Sequence, residues 1–354
     1  MQYIWEYYVM KIQINDCTIR DGGYLLNKNS PDDFVQGVID GLISSGIDII
    51  ENGFLQNKSE NETLVYKNSV DARKFVSNPS YAARMTGFCD NSRYSLENLD
   101  EYDGQAFDYL KISFAKHESD DALNFVSGAI KKGYKVLANP MDAQSYTTSE
   151  RSLMIERINK IKPYAFSIVD TFGTLYLKDL KEIFTQMDQE LDKAISIGLH
   201  SHNNLHLSNA LAEAMIDMAI RSDRGIIVDS SLYGMGRGAG NASTEVLANY
   251  INKVNNSKVY DMGRLFETIE KFILPLRAKV TWGYDLPMFV CGMEGAHVDN
   301  IFYLNKNMNC SSKDILDIIS SLDVSKRKRY GANYSKTDFS DLEKACERFH
   351  VYKK

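Results

Sequence analysis

Eight short apolar runs alternate along this chain with stretches of helical periodicity, and that alternation leaves few folds open. The runs begin near Ile12 (IQINDCTI), Ile47 (IDIIENGF), Ala82 (AARMTGFC), Tyr109 (YLKISFA), Tyr134 (YKVLANPM), Ala165 (AFSIVDTF), Ala194 (AISIGLHSH) and Gly225 (GIIVDSSLYG). Strands of this kind separated by helices imply βαβ units and a parallel sheet. Ser45-Gly46 and Lys132-Gly133 punctuate helix ends just before the next strand. A doubly wound sheet usually has fewer strands and carries a Gly-rich turn after the first, which is missing here, so the expected fold is α/β, a (β/α)8 TIM barrel.

Side-chain alternation agrees. Leu110, Ile112 and Phe114 share one face of the fourth strand, opposite Lys111, Ser113 and Ala115. In the seventh, Ile195, Ile197 and Leu199 oppose Ser196, Gly198, His200 and His202. The apolar set is expected to face the helices and the small or polar set the barrel interior. After about Val254 the alternation stops, and helical patterns follow over Gly263–Val280, Gly295–Asn305, Ser312–Ser321 and Phe339–Phe349. The reading is therefore an N-terminal extension over 1–10, a catalytic barrel over 11–257 and a helical C-terminal domain over 258–354.

A formal net charge of −6 offers phosphate backbones no basic field, which excludes nucleic acid as a partner. The run Lys326-Arg-Lys-Arg329 reads as a solvated face. No stretch approaches about 18 consecutive apolar residues, so no membrane partner is expected. Five cysteines without a C-x-x-C pair suggest a reducing, cytoplasmic setting.

The unusual polar residues gather where the strands end, which in a barrel is the active-site mouth. Arg20-Asp21 is placed at the close of strand one, Glu51 at strand two, Asn139 at strand five, Asp170 at strand six, and His200 and His202 at strand seven. A Gly-rich loop, Gly234 to Asn241, follows strand eight. Two histidines two residues apart on a strand point to one side with Cα atoms roughly 6–7 Å apart, close enough to share an ion. Strands one and seven both lie beside strand eight in a closed barrel, so Asp21 reaches the same point. Two imidazoles and one carboxylate then bind a divalent metal with positions left open. Asn241 can add a neutral oxygen. A pair of hydrogen-bonded interior histidines is the plainer alternative, and ferrous iron in an oxygenase uses the same ligand set.

Five motifs make the chain recognisable: Asp16-Cys-Thr-Ile-Arg-Asp-Gly22, Ile50-Glu-Asn-Gly-Phe54, Val169-Asp-Thr-Phe-Gly173, His200-Ser-His-Asn-Asn204 and Gly234-Met-Gly-Arg-Gly-Ala-Gly-Asn-Ala242. Together they resemble the signatures of the metal-dependent TIM-barrel pyruvate-processing superfamily, the hydroxymethylglutaryl-CoA lyase-like group. Within it, Thr281-Trp-Gly-Tyr284 and Asp314-Ile-Leu-Asp-Ile-Ile319 are most similar to the small helical domain of the 4-hydroxy-2-oxovalerate aldolases. The resemblance implies a class II aldolase that cleaves or forms a 4-hydroxy-2-oxo acid from pyruvate and an aldehyde, through an enolate stabilised by the metal and Arg20. It implies Mn²⁺, with Mg²⁺ or Co²⁺ as substitutes. Glu51 and Asp170 stand behind Arg20 and the ligands, or are interior acids paired with Lys111, while Asn139, Thr171, Arg237 and Tyr284 are assigned to substrate binding. Homo-oligomerisation and docking on an aldehyde dehydrogenase are further partner expectations left open.

The chain departs from those aldolases at one position. Where they carry Arg-Asp-Gly-x-His, with the histidine as base, this chain reads Arg20-Asp-Gly-Gly-Tyr24. Tyr24, His206 and His297 are then the candidate bases. A Schiff base on Lys111, an acyl-CoA Claisen reaction, and a non-catalytic 2-oxo-acid-binding subunit are the competing readings.

Overall fold

The computed structural model describes residues 12–58, 62–76, 78–82, 84–329 and 338–354, and the expected extension over 1–10 lies outside them. Eight parallel strands close a TIM barrel: β1 Ile12–Asp16, β2 Ile49–Leu55, β3 Met85–Asp90, β4 Tyr109–Phe114, β5 Lys135–Pro140, β6 Ala165–Asp170, β7 Ser196–Ser201 and β8 Ile226–Ser230. Closure is made at β1, where Ile12 lies opposite Ile226 and Asn15 opposite Ile49. A two-residue strand, Val65–Tyr66, adds to the edge of β2.

Full helices follow six of the strands: α1 Asp32–Ser44 after β1, α2 Ser119–Lys131 after β4, α3 Thr148–Ile161 after β5, α4 Leu177–Glu190 after β6, α5 Ser208–Ser222 after β7 and α6 Thr244–Val254 after β8. The expected helix is missing from the other two crossovers among the described residues. Single turns, such as Ser69–Ala72, follow β2, and one turn, Leu96–Asn98, follows β3. The reason lies in local chemistry. Asp90 takes the Ser92 N–H (3.0 Å) and Asp103 the Gln105 N–H (2.9 Å), so short polar side chains claim backbone donors that a helix would need.

Alternation sorts the strands as expected. Leu110, Ile112 and Phe114 pack outward into the main core with Ile195, Ile197 and Leu199. Inside, the floor of the barrel is apolar, built from Ile49, Tyr109, Leu137, Ala165 and Ile227. Above that floor the interior turns polar.

Residues after 258 divide into two groups. Helix α7, Met262–Thr268, runs on through a π-helical turn into Leu274–Arg277 and packs on α1. A Cβ at Gly37 would lie 2.1 Å from the Phe272 ring, and one at Gly41 would lie 2.1 Å from Thr268 Oγ1, so only glycine admits this approach. Leu265, Ile269, Ile273 and Trp282 therefore join the barrel core. A separate core gathers from α8, Leu286–Glu294, onward, with α9 Val298–Asn307, α10 Ser312–Ser320 and α11 Ser340–Arg348. Helix α8 follows Tyr284. It starts where Asp285 accepts the Met288 N–H (2.7 Å) and Pro287 occupies the first turn.

The basic run does not form a solvated face. Arg329 is 3% exposed, its guanidinium 3.9 Å from the Phe339 ring centre. Arg327 pairs with Glu294, and Lys328 reaches Asp142 in the loop after β5. Long basic stems cover apolar surface while their heads find carboxylates, which net charge does not reveal.

Candidate metal centre

Strand β1 ends at Asp16, so Arg20 and Asp21 do not close the strand but sit on the single helical turn Thr18–Gly22 beyond it. Asp16 sets that turn by accepting the Thr18 N–H (2.9 Å) and the Thr244 hydroxyl (2.6 Å). The turn folds Asp21 back toward β7. There, one ligand atom each from Asp21, His200 and His202 lies within 4.8 Å of the others. The two rings meet edge to face with centroids 5.0 Å apart.

The Gly-rich loop after β8 closes over this group. A Cβ at Gly236 would lie 2.2 Å from Asn241 Nδ2 and 2.5 Å from Asp21 Oδ2, so the loop can come this close only as glycine. Asp21 Oδ2 accepts from Asn241 Nδ2 (2.8 Å) and from the Arg237 backbone N–H (3.1 Å). Asn241 Oδ1 and His202 Nδ1 are buried without a hydrogen-bond partner. Unmet acceptors beside a carboxylate and two imidazoles are what a divalent ion requires, so these residues fit a metal. Burial alone would raise the Asp21 carboxyl, but Arg20, His202 and His200 outweigh it and hold the group well below the carboxylate range. Burial likewise lowers His202 to about 4, leaving a neutral imidazole able to ligate.

Beneath the ligands lies a layer of buried charges. Arg20 donates through Nε to Glu51 Oε2 and through Nη1 to Asp21 Oδ1 (2.8 Å), and stacks on Phe88 at 4.3 Å. Lys111 bonds Glu51 Oε1 (2.6 Å) and Asp229 Oδ2, and Asn15 Nδ2 bonds the same two acids at 2.6 and 2.7 Å. Asp229 Oδ2 also lies 2.8 Å from His200 Nδ1, at hydrogen-bond length though not in hydrogen-bond alignment. Burial favours neutral Lys111, yet Asp229 and Glu51 overcome it and raise its pKa. A Schiff-base lysine needs a depressed pKa, so the alternative built on Lys111 is not supported.

The remaining candidates are placed as follows. Tyr24 is half-buried, edge-on to Phe54 and under the Arg237 guanidinium at 5.2 Å. Burial raises its pKa against the pull of Arg237 and Arg20. Asp170 does not reach Arg20. Its carboxylate accepts the Thr174 N–H (2.7 Å) and the Leu175 N–H (3.3 Å), and burial pushes it up to about 7. Asn139 Oδ1 accepts from Ser167 (2.9 Å), and Thr171 Oγ1 accepts the Asp142 N–H (2.8 Å). Tyr284 is 50% exposed, its ring edge-on to His206. His297 caps α9 through Nδ1, accepting the Asp299 N–H at 3.2 Å, and neither His206 nor His297 joins the ligand group.

Asn15, Asp229 and Asp299 were missed from the sequence. Asp229 has a signal, since alternation along GIIVDSS puts it inside the barrel beside β1 and β7. Asp299, which pairs with Arg237 from α9, has none. Helix α8 also packs on the mouth, where Gly292 leaves room for Asn204 and the Gly173 carbonyl.

The barrel, the buried Asp-His-His group and the Gly-rich closing loop together form a candidate metal centre, and the chain is similar to several known proteins. Residues 109–272 match the HMGL-like family. The chain is 26% identical to oxaloacetate decarboxylase of Mycobacterium tuberculosis over 278 residues, 76% of this chain and 78% of that one. It is 22% identical to 4-hydroxy-2-oxovalerate aldolase of Bacillus thuringiensis over 326 residues, 90% and 92% of the two chains. The N-terminal domain of an aldolase candidate from Bacteroides vulgatus has the same fold, with a TM-score of 0.68 and 24% identity, over 88% of this chain and 97% of that one. No helix among the described residues is long and apolar enough to cross a membrane.

Proposed function

We propose that the protein is a class II lyase that makes and breaks the carbon–carbon bond of 4-hydroxy-2-oxo acids, with pyruvate and an aldehyde as the two halves. The observation that carries this reading is Arg20, clamped by Glu51 and Asp21 beside the ligand group. Asp21, His200 and His202, with Asn241 beside them, would hold Mn²⁺, or Mg²⁺ or Co²⁺ in its place. Such an ion supplies Lewis-acid polarisation of a 2-oxo acid's keto oxygen. Arg20 Nη2 has no protein partner among the described residues, and it meets the negative charge that develops on that oxygen. Asp21 and Glu51, the latter itself held by Lys111, keep the guanidinium still, so no reorganisation is needed as the charge appears.

Aldol cleavage also requires a base for the 4-hydroxyl proton, and at the position of the aldolases' histidine this chain carries Tyr24. Its raised pKa favours a second reading, decarboxylation of oxaloacetate, in which carbon dioxide leaves without any hydroxyl proton to remove. The similarity to an oxaloacetate decarboxylase supports the same alternative. The experiment loads the protein with Mn²⁺ and follows three signals: methyl-proton exchange of pyruvate in heavy water, cleavage of 4-hydroxy-2-oxovalerate, and loss of carbon dioxide from oxaloacetate. Exchange with hydroxy-acid cleavage supports the aldolase. Exchange with oxaloacetate turnover alone supports the decarboxylase. Absence of all three overturns both.

A further inference from the structure

We propose that Asp229 is a positioning residue for the metal centre: it engages His200 Nδ1 so that Nε2 is the nitrogen presented to the ion. The inference rests on the metal-centre reading above and assigns a role to a residue outside the ligand set.

Asp229 touches His200 with one oxygen and is fixed by both. Oδ2 lies 2.8 Å from His200 Nδ1 and bonds Lys111, while Oδ1 accepts from Asn15 Nδ2 at 2.7 Å. The carboxylate therefore cannot rotate away without breaking two buried interactions. A buried anion at Nδ1 keeps the proton on that nitrogen, which fixes the tautomer, orients the ring and makes the opposite nitrogen a better donor.

A counter-ion for Lys111 does not by itself account for Asp229. Lys111 already has Glu51 at 2.6 Å, and Glu51 in turn holds Arg20, which holds Asp21. Through Asp229 this run of alternating charges becomes continuous from one ligand, His200, to another, Asp21. Its three carboxylates outnumber its two cations, leaving one negative charge unmet in a closed interior, and a dication meets it. Without Asp229, Asp21 stays braced through Arg20 but His200 loses its brace.

The test uses the full chain stripped with a chelator and titrated with Mn²⁺. Asp229→Asn should weaken Mn²⁺ binding about 10–100-fold, the range typical for partners of metal-bound histidines. Nitrogen-15 NMR of histidine-labelled, metal-free protein should show His200 protonated at Nδ1 in the wild type and as mixed tautomers in the variant. Because one buried charge is then uncompensated, Asp229→Asn can unfold, and the double variant Asp229→Asn, Lys111→Met, which removes the ion pair as a unit, carries the test in that case. The double variant should fold and still bind Mn²⁺ weakly. Wild-type affinity in the double variant, or an unchanged His200 tautomer in a folded single variant, would overturn the proposal and leave Asp229 as a partner of Lys111 alone. Failure of the wild type to bind Mn²⁺ would instead overturn the metal reading beneath it.

Discussion

Arg237, on the loop that closes over the ligands, is held by Asp299 in the first turn of α9, so the separate helical core grips the side chain that lies over Tyr24. Both partners are about a quarter exposed. Such pairs contribute roughly 0–1 kcal/mol, so Asp299→Asn should barely move the melting temperature. Released from its anchor, Arg237 should bind the aldehyde half less well, raising KM for the hydroxy acid several-fold while pyruvate proton exchange continues. Steady-state kinetics beside a thermal melt check this, and a large loss of stability with unchanged KM would show the pair to be purely structural.

Arg20→Lys should leave Mn²⁺ bound but slow pyruvate proton exchange by on the order of 100–1,000-fold, the usual cost of one lost oxyanion donor. An ammonium cannot serve Glu51, Asp21 and the keto oxygen at once, as the planar fork does. Exchange in heavy water reads this step without the aldehyde. Exchange within a few-fold of wild type would remove Arg20 from the chemistry.

Tyr24→Phe keeps the ring that packs on Phe54 and removes the only titrating atom. Hydroxy-acid cleavage should fall sharply, with Mn²⁺ and pyruvate affinity retained. A base works when deprotonated, and burial raises the Tyr24 pKa above its ordinary 10, so a rate limited by tyrosinate should still be climbing at pH 10. Oxaloacetate decarboxylation needs no such base and should survive the substitution. A plateau near neutrality in the wild type would point to a histidine or a water.

Asp16 gives a pH effect on stability rather than on rate. Burial pushes its carboxyl up to about 6, against about 4 in an unfolded chain. Between those values the unfolded chain has released the proton and the folded protein still holds it. Stability therefore falls as pH rises from about 4 to about 6 and is level above, by up to roughly 3 kcal/mol at about 1.4 kcal/mol per unit. Asp16→Asn stays neutral throughout and should lack this slope. Urea unfolding of both proteins at pH 4.5 and pH 7 measures the difference, and parallel behaviour would mean that Asp16 is ionised in the folded state.

The barrel was legible because period-two alternation is a local signal: Leu110 and Lys111 are neighbours in sequence and need no distant information to be assigned to opposite faces. The ligand group was legible for a similar reason, since His200 and His202 fix their own spacing and barrel closure brings β1 to them. The bracing layer was legible only in part. The pairing of Glu51 with Lys111 stood as an alternative, but Asp229, 118 residues from Lys111, carries no local signal that specifies the match. The crossover after β3 was misread because apolar residues such as Leu96, Leu99 and Phe107 mimic helical periodicity, while aspartates such as Asp90 and Asp103 claim backbone donors that a helix would need. Arg329 was misread because a basic run looks the same whether its heads meet water or carboxylates.

The helices that begin at α8 reach the loops after β5, β6, β7 and β8 through Lys328, Gly292 and Asp299. On the proposed function, the strand ends and the loops just beyond them carry the chemistry of the 2-oxo acid half, and a segment downstream of the barrel shapes the rest of the mouth. Such a layout is modular in an evolutionary sense. On that reading, exchanging the sequence after residue 285 between relatives is expected to change which second substrate is accepted while pyruvate proton exchange is kept.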